Sequence, residues 1–459
     1  MEFSDLYKQS NGSLVRFSPS GEYVAVAVEH RLIVRTTQTP KLIHRVFGTA
    51  YTARPFIEAL EWSPCGRFLL TASYAMSRAD VWSLDDDTWR CTLVDEVSRI
   101  TRAQWGLDAT RVLTHSELNL RLTIWTLHAD SASSRQYVQY PRALAVGADH
   151  YAVAFRQEAH RDVVGLYSSD WRQVGCVGVE QMREVRGMRW SPDGLHLCLW
   201  GGAATWCLAV VNLAGVVKRV EAVEDRLGVR DVAWSPTGQL LAVEGVDGDV
   251  RVLNHLTWRP VATLRGGGTG AGAGRGRVAG GVDVFVETPL DAQTPGLQQQ
   301  QRAGGRVPSR FALLPTPATL PTSPDAPSST TTPTTTTAAS PDDPRPSYLS
   351  FSPDGTLLAQ HSPLNPSRIA VWRVGDMRLV ALVCMLGAVR MCRWSPVENS
   401  LAFVTGPPTV YMWGAGGGGC RLWDVPAEVV AVGGLRWCPS GEALAVVARG
   451  VFALAYVTE

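Results

Sequence analysis

The chain lacks most of the motifs that mark catalysis. It contains no Gly-Lys pair, so no phosphate-binding loop of the Walker type can form. The glycine run 266–281 has no G-x-G-x-x-G, follows no βαβ pattern and opens no helix. It reads as linker. The 9 histidines are scattered, with no H-x-x-x-H, and His196 and His255 sit beside strands as isolated residues rather than as metal ligands. No G-x-S-x-G or Cys/His arrangement has supporting context. An enzyme is not expected, and no cofactor or metal is implied. No apolar run approaches 18 residues, which argues against a transmembrane helix. The first residues, MEFSDLYKQS, are polar and do not read as a signal peptide. Excess charge is also missing: 43 basic against 42 acidic residues leave a net +1, so neither nucleic acid nor an anionic membrane is an expected partner. The 9 cysteines include no C-x-x-C, and Cys198, Cys207 and Cys392 fall inside apolar runs, as reduced thiols of an intracellular protein do.

What is present is a repeat. Val232-Ala233-Trp234-Ser235-Pro236-Thr237-Gly238 ends one apolar run, and Gln239-Leu240-Leu241-Ala242-Val243 begins the next. Proline presets φ and glycine permits positive φ, so the segment between them is a hairpin turn. The same phrase begins at Phe17, Trp62, Trp190, Phe351, Trp394 and Trp437, with degraded copies at Trp105 and Ala145. The steps are 45, 43, 40, 45, 44, 117, 43 and 43 residues. A third-strand landmark recurs in phase: ADVWSL (79–84), LTIWTL (122–127), VVGLYS (163–168), LAVVNL (208–213), VRVLNH (250–255), IAVWRV (369–374) and VYMW (410–413). Trp89-Arg90, Trp171-Arg172 and Trp258-Arg259 open the following strand in three units. A period near 40–45 residues, with four short strands per unit, is the spacing of a WD-repeat β-propeller. The usual Gly-His pair is absent, and the only Trp-Asp pair, Trp423-Asp424, is out of phase. Period and turn carry the assignment.

The expected fold is therefore all-β, a propeller of nine repeat units, with seven or eight blades still open. Residues 1–265 hold a closing strand and units one to six. Residues 266–346 form a low-complexity insertion, expected to be disordered, and 347–459 hold units seven to nine. The insertion has 12 of the chain's 28 prolines, a glutamine run and a threonine tract. One alternating island in it, Val282–Val286, reads as an added edge strand. The last unit supplies only three strands, so alternating Glu2–Tyr7 is expected to provide the fourth and to remove two sheet edges.

Two sets of residues are candidates for function. Trp and Arg together make good interface anchors, so Trp89, Arg90, Trp171, Arg172, Trp258 and Arg259 are candidate partner contacts, with core or shelf packing as the competing reading. Thr288, Thr294, Thr316, Ser323, Thr332 and Ser340 each precede proline in the insertion and are candidate phosphorylation sites. Chance in Thr- and Pro-rich sequence is the alternative. Asp85-Asp86-Asp87 reads as a solvated turn rather than a cation site.

The start, MEFSDLYKQSNGSLVRFSPSGEYVAVAVEHRLIVR, resembles the start of the WD repeat-containing protein 8 family of centrosomal and spindle-pole proteins. LNLRLTIWTL (118–127), SDWRQV (169–174) and VRVLNHLTWRPVATL (250–264) resemble it in the same order, as does a long insertion after the last of these. The glycine- and threonine-rich filling of that insertion departs from the family. The resemblance implies a non-catalytic scaffold of the cytoplasm and cytoskeleton, a monomeric propeller within a complex. It would act with a coiled-coil microtubule-anchoring partner at centrosome, spindle pole or basal body, in spindle organisation and cilium assembly. A translation-initiation-type propeller on the ribosome and a ubiquitin-ligase substrate receptor remain open.

Overall fold

A computed structural model describes residues 1–10, 14–51, 56–128, 132–158, 161–265, 282–289, 309–314, 347–416 and 419–457. Among them are nine sheets of the β-propeller type, eight built on four consecutive antiparallel strands and the last on three, Val432–Trp437, Ala443–Ala448 and Val451–Tyr456, and a single short 3-10 turn, Glu117–Asn119. The nine-unit reading of the sequence holds at the level of sheets. Compact packing divides the chain into two units, residues 2–229 with 436–459, and residues 230–435.

The first strands of the sheets are Val15–Phe17, Ala59–Trp62, Ile100–Trp105, Pro141–Val146, Gly187–Trp190, Val229–Trp234, Tyr348–Phe351, Met391–Trp394 and Val432–Trp437. The S-P-x-G phrase follows most of them for a definable reason. In the second sheet the backbone N–H of Gly66 donates to the Ser63 carbonyl at 2.9 Å, which closes the turn. The buried Ser63 hydroxyl then accepts the Phe68 N–H at 3.0 Å and ties the turn to the strand it starts. Ser191, Ser235 and Ser352 repeat both bonds. Glycine closes the phrase because φ there is +74° at Gly66 and +72° at Gly238. In the eighth sheet Ser395-Pro396-Val397-Glu398 lacks the glycine, and the Ser395 hydroxyl takes the Val397 and Glu398 N–H groups instead.

The second strands are the core. Tyr23–Val28, Phe68–Ser73, His196–Trp200, Leu240–Gly245 and Ser400–Val404 are buried along nearly their whole length, as strands covered on both faces should be. Trp62, Trp105, Trp190, Trp234 and Trp394 are buried at the ends of their first strands, and Trp437 is half-buried. Third-strand Trp82 and Trp125 donate their indole N–H to Thr71 and Thr114 hydroxyls at 2.9 and 2.8 Å.

The expected closing strand is present as two short pieces. Glu2–Phe3 and Tyr7–Lys8 pair antiparallel with Val451–Tyr456, in the register Phe3 to Ala455 and Tyr7 to Phe452. Tyr7 is the buried member, its ring 5.5 Å from that of Phe452. Buried Gln9 adds an anchor that the alternation did not foreshadow, its amide donating to the Ala448 and Val451 carbonyls.

Within 266–346, the described residues are strands. The Val282–Val286 island is part of Asp283–Pro289, which pairs parallel with Arg378–Cys384 at the outer edge of the seventh sheet. A second strand, Ser309–Leu314, pairs antiparallel with it and has no counterpart in the sequence reading. Val284 is fully buried. Glu287 is 2% exposed and accepts the Tyr411 hydroxyl at 2.8 Å and the Leu386 N–H at 3.0 Å. The low-complexity stretch 266–346 thus carries a two-stranded extension that brings the seventh sheet to six strands.

Candidate interaction surfaces

The three Trp-Arg pairs occupy equivalent turns between third and fourth strands. The structure separates each tryptophan from its arginine. Trp171 and Trp258 are only 5% exposed, whereas Arg172 and Arg259 face solvent. Both tryptophans adopt positive φ, +59° and +54°, and this left-handed backbone folds the indole back over its own sheet. Trp171 stacks on Tyr151 with centroids 4.4 Å apart, and Trp258 meets Trp234 edge-on at 6.0 Å. Trp89 is half-buried against Phe68. Arg90 is held by the fully buried Asp80, together with Arg78, and lies over the Trp82 ring. The tryptophans are therefore packing elements, and the solvent-facing members of the set are Arg172 and Arg259. Positive φ at tryptophan is rare enough that the sequence offered no signal for it.

The proline-directed sites fall differently. Thr288 lies on the strand Asp283–Pro289, its backbone opposite Arg310. Thr294, Thr316, Ser323, Thr332 and Ser340 lie outside the described residues. The Asp85-Asp86-Asp87 turn is occupied by the protein itself. Asp85 pairs with Arg67 at 2.6 Å, Asp87 with Arg45, and Asp86 caps Thr88. Among the described residues no group of three His, Cys, Asp or Glu is placed to hold a metal ion.

Sequence reasoning passed over the solvent side of the first strands. In the unit of residues 2–229 and 436–459, the residue just before the terminal aromatic, or two residues further back, faces away from the sheet core. These positions hold Arg16, Glu61, Arg102, Arg189 and Arg436, while the strand Pro141–Val146 has no terminal aromatic and its exposed Arg142 lies four residues before Val146. The strands lie side by side: Trp62 Nε1 donates to Arg16 O, Trp105 Nε1 to Glu61 O, and Trp190 Nε1 to Ala145 O. Arg16, Glu61 and Arg102 border a cavity of about 620 Å³ that runs from the turn residues Pro19, Pro64 and Gly106 to Glu58 and Tyr74. Leu14, Leu60 and Val146 give it apolar wall. The Glu61 carboxylate accepts the Trp105 N–H at 3.0 Å, and burial raises its pKa above the ordinary carboxylate value against the lowering pull of that bond, Arg102 and Arg16. Burial lowers the Arg16 pKa from its ordinary value. The charge is guanidinium almost throughout, since Lys8, Lys41 and Lys218 are the chain's only lysines. Guanidinium forks hold carboxylate or phosphate through two parallel hydrogen bonds.

The comparisons with known proteins agree with this architecture. The family described as WD domain, G-beta repeat matches residues 223–254, which span the first three strands of the sixth sheet. The WD repeat-containing protein WRAP73 of Mus musculus is 30% identical over 475 residues, covering 100% of this chain and 96% of the mouse protein. The chain belongs to the WRAP73 family of WD repeat-containing proteins. Its membership spans the whole length, insertion included, so the family likeness is not confined to one repeat. A crystal structure described as that of the eukaryotic initiation factor superposes with a TM-score of 0.55 over 91% of this chain and 90% of the other, at 14% identity. That likeness is one of fold alone. Propellers of WD repeats serve ordinarily as protein-interaction platforms, and no enzyme family is indicated for this chain.

Proposed function

We propose that this WRAP73-family chain is a non-catalytic propeller scaffold of the centrosome, spindle pole or basal body. It acts with a coiled-coil partner to anchor microtubule minus ends, and so supports spindle organisation and cilium assembly. The observation that carries the reading is similarity to one WD-repeat protein over 100% of the chain. The resemblance of the opening 35 residues to centrosomal and spindle-pole proteins points the same way. Anchoring is assigned to a partner on electrostatic grounds. The microtubule surface is acidic, and proteins that bind it directly present excess Lys and Arg, whereas this chain carries a net +1. The six Ser/Thr-Pro pairs, Thr288 among them, supply this scaffold with cell-cycle-linked regulation.

The test has two arms. Purified protein should stay in the supernatant when microtubules are sedimented at physiological salt, while tagged protein in dividing cells concentrates at spindle poles or basal bodies. Strong autonomous co-sedimentation overturns partner-dependent anchoring. A diffuse or polysomal distribution, or co-purification with a cullin adaptor, overturns the cellular assignment.

A further inference from the structure

We infer that Thr39 is a phosphorylation site for a proline-directed kinase, and that its phosphate loosens the closing segment Glu2–Lys8 from the last sheet. Outside 266–346 the chain has eight Ser/Thr-Pro pairs. Seven are serines that open a turn, and all seven are buried. Ser63, Ser191 and Ser235 show why: each hydroxyl accepts a backbone N–H of the strand that follows. A kinase cannot reach these hydroxyls in the folded sheet. Thr39 is the exception. It is exposed, in the six-residue connection 37–42 between the strands Arg31–Thr36 and Ile43–Gly48. The Leu42 N–H donates to the Thr39 carbonyl at 2.9 Å, so Thr39 to Leu42 is a β-turn with Pro40 at its second position. The proline keeps Thr39 extended. The Thr39 hydroxyl lies 2.9 Å from that of Thr36, in a contact open to solvent.

The surroundings give a phosphate there a consequence. The turn and the strand leading into it touch the closing sheet at three points. Lys41 Nζ bridges Asp5 at 2.9 Å. Arg35 lies 4.7 Å over the Tyr7 ring while it donates to the Pro40 carbonyl at 2.8 Å. The Tyr456 hydroxyl donates to the Thr37 carbonyl at 2.7 Å. Asp5 sits between Glu2–Phe3 and Tyr7–Lys8, the two pieces that pair with Val451–Tyr456. Transfer from ATP joins Thr39 Oγ1 to the γ-phosphorus, releases ADP and leaves the hydroxyl proton with the kinase's base. The product carries about −1.5 to −2 charge and three acceptor oxygens. Lys41, two positions along the chain, is within side-chain reach of it. A dianion competes better than the single carboxylate of Asp5 for that ammonium, and it repels Asp5 itself. Arg35 is drawn off the Tyr7 ring in the same way. Each of these effects weakens the hold on the closing segment. The inference does not rest on where the protein acts, so its failure and that of the scaffold reading are distinguishable.

The experiment treats the full-length chain with a cyclin-dependent kinase and ATP, beside Thr39→Val and a free peptide of residues 36–45, and maps the modified residues by mass spectrometry. Peptide and folded chain should both be phosphorylated at Thr39, while Ser63, Ser191 and Ser235 stay unmodified. Hydrogen exchange then follows the closure through the Ser4 and Gln9 amides, which donate to the Leu454 and Gly450 carbonyls. In treated wild type they should exchange roughly two- to fivefold faster than in untreated protein, the scale set by one exposed ion pair. Thr39→Val keeps any phosphate that the insertion accepts, and its exchange should not respond to treatment. Asp5→Asn should respond less than wild type, because the repulsion needs the carboxylate. A peptide that is no substrate, or a folded chain left unmodified at Thr39, would overturn the site. Phosphate at Thr39 with unchanged exchange, or an acceleration that Thr39→Val or Asp5→Asn shares in full, would overturn the loosening.

Discussion

The indole Nε1 of Trp62 donates a hydrogen bond to the backbone carbonyl of Arg16 at 3.0 Å, across 46 residues of sequence. The same bond recurs one repeat later from Trp105 to Glu61 at 3.3 Å, from Trp190 to Ala145 at 3.3 Å, and from Trp394 to Ser350 at 3.0 Å. Each tryptophan thus does two things. It fills the end of its own sheet, and it ties that sheet to the residue in the same phase of the previous one. The repeat period of the sequence is, physically, the reach of this bond.

Replacing Trp62 by Phe keeps most of the apolar surface and removes the donor. A buried hydrogen bond contributes about 0.5–1.5 kcal/mol net, and an orphaned partner can double the loss. Trp62→Ala should cost about 3–5 kcal/mol, because the cavity adds to the lost burial. Urea denaturation should therefore rank the proteins wild type, Phe, Ala, with the first gap smaller than the second. A Phe variant as unstable as Ala would show that the bond, rather than packing, dominates at this seam.

Removing residues 1–8 deletes both edge pieces that pair with Val451–Tyr456 and the packing of Tyr7 on Phe452. Burial of one such aromatic is worth about 1.5–3 kcal/mol, and the strand Val451–Tyr456 is left with an unpaired edge. The truncated protein should lose several degrees of melting temperature and self-associate in sedimentation measurements. Melting and mass like those of the full chain would show that the N-terminal pairing contributes nothing.

The insertion should tolerate removal in parts and resist removal as a whole. Replacing 290–308 and 315–346 by short Gly/Ser loops keeps Asp283–Pro289 and Ser309–Leu314, and should move the melting temperature by a few degrees at most. Shortening long loops changes closure entropy only logarithmically, about 0.6 kcal/mol per halving. Replacing 282–314 as well uncovers the edge of Arg378–Cys384, where Val383 is fully buried, and leaves the Tyr411 hydroxyl without Glu287. That protein should melt distinctly lower. Equal melting of the two variants would make the hairpin an ornament.

The sequence was most legible where one residue type answers one physical demand. Gly66 and Gly238 supply positive φ in a turn, and Ser63 and Ser235 supply the hydroxyl that receives the next strand, so the phrase announces itself in every good copy. The nine units followed from that. The strand Ser309–Leu314 was hidden because SRFALL sits between Pro308 and Pro315, in a composition that signals no packing. The Trp-Arg pairs were ambiguous for a different reason. An exposed anchor and a buried plug have the same letters, and only the positive φ of Trp171 and Trp258 decides between them.

A buried carboxyl gives a prediction in pH. Glu244 is fully buried in the sixth sheet, accepts the Gln360 amide at 3.1 Å, and is pushed up by burial to about 7 from an ordinary 4.5. Asp231 raises it further, while Gln360, Arg230 and Ser362 pull it down. Because the folded value exceeds the unfolded one, this carboxyl favours the folded state most below pH 4.5, and that contribution is lost as pH rises through about 7. The size is on the order of 3 kcal/mol for a shift of this extent. Glu244→Gln should remove the slope between pH 5 and 8 in urea midpoints. If the variant retains the wild-type slope, the titrating group lies elsewhere.

The backbone at Trp258 separates a plug from an anchor by an inversion of the usual order of substitutions. With φ at +54° and the ring 5% exposed, the position pays for a left-handed backbone and gains a buried indole against Trp234. Losing that side chain should cost about 3–5 kcal/mol. Alanine keeps the strain of an L-residue at positive φ, about 1–2 kcal/mol, whereas glycine relieves it. Stability should therefore fall in the order Trp, Gly, Ala, although glycine is elsewhere the more damaging replacement. Arg259→Ala, one residue on and exposed, should leave the denaturation curve within about 0.5 kcal/mol of wild type. Urea titration of the four proteins measures all of this. A Trp258→Ala protein as stable as wild type would return the indole to the surface as a partner contact, and Ala above Gly would mean that the turn relaxes to negative φ once the ring is gone.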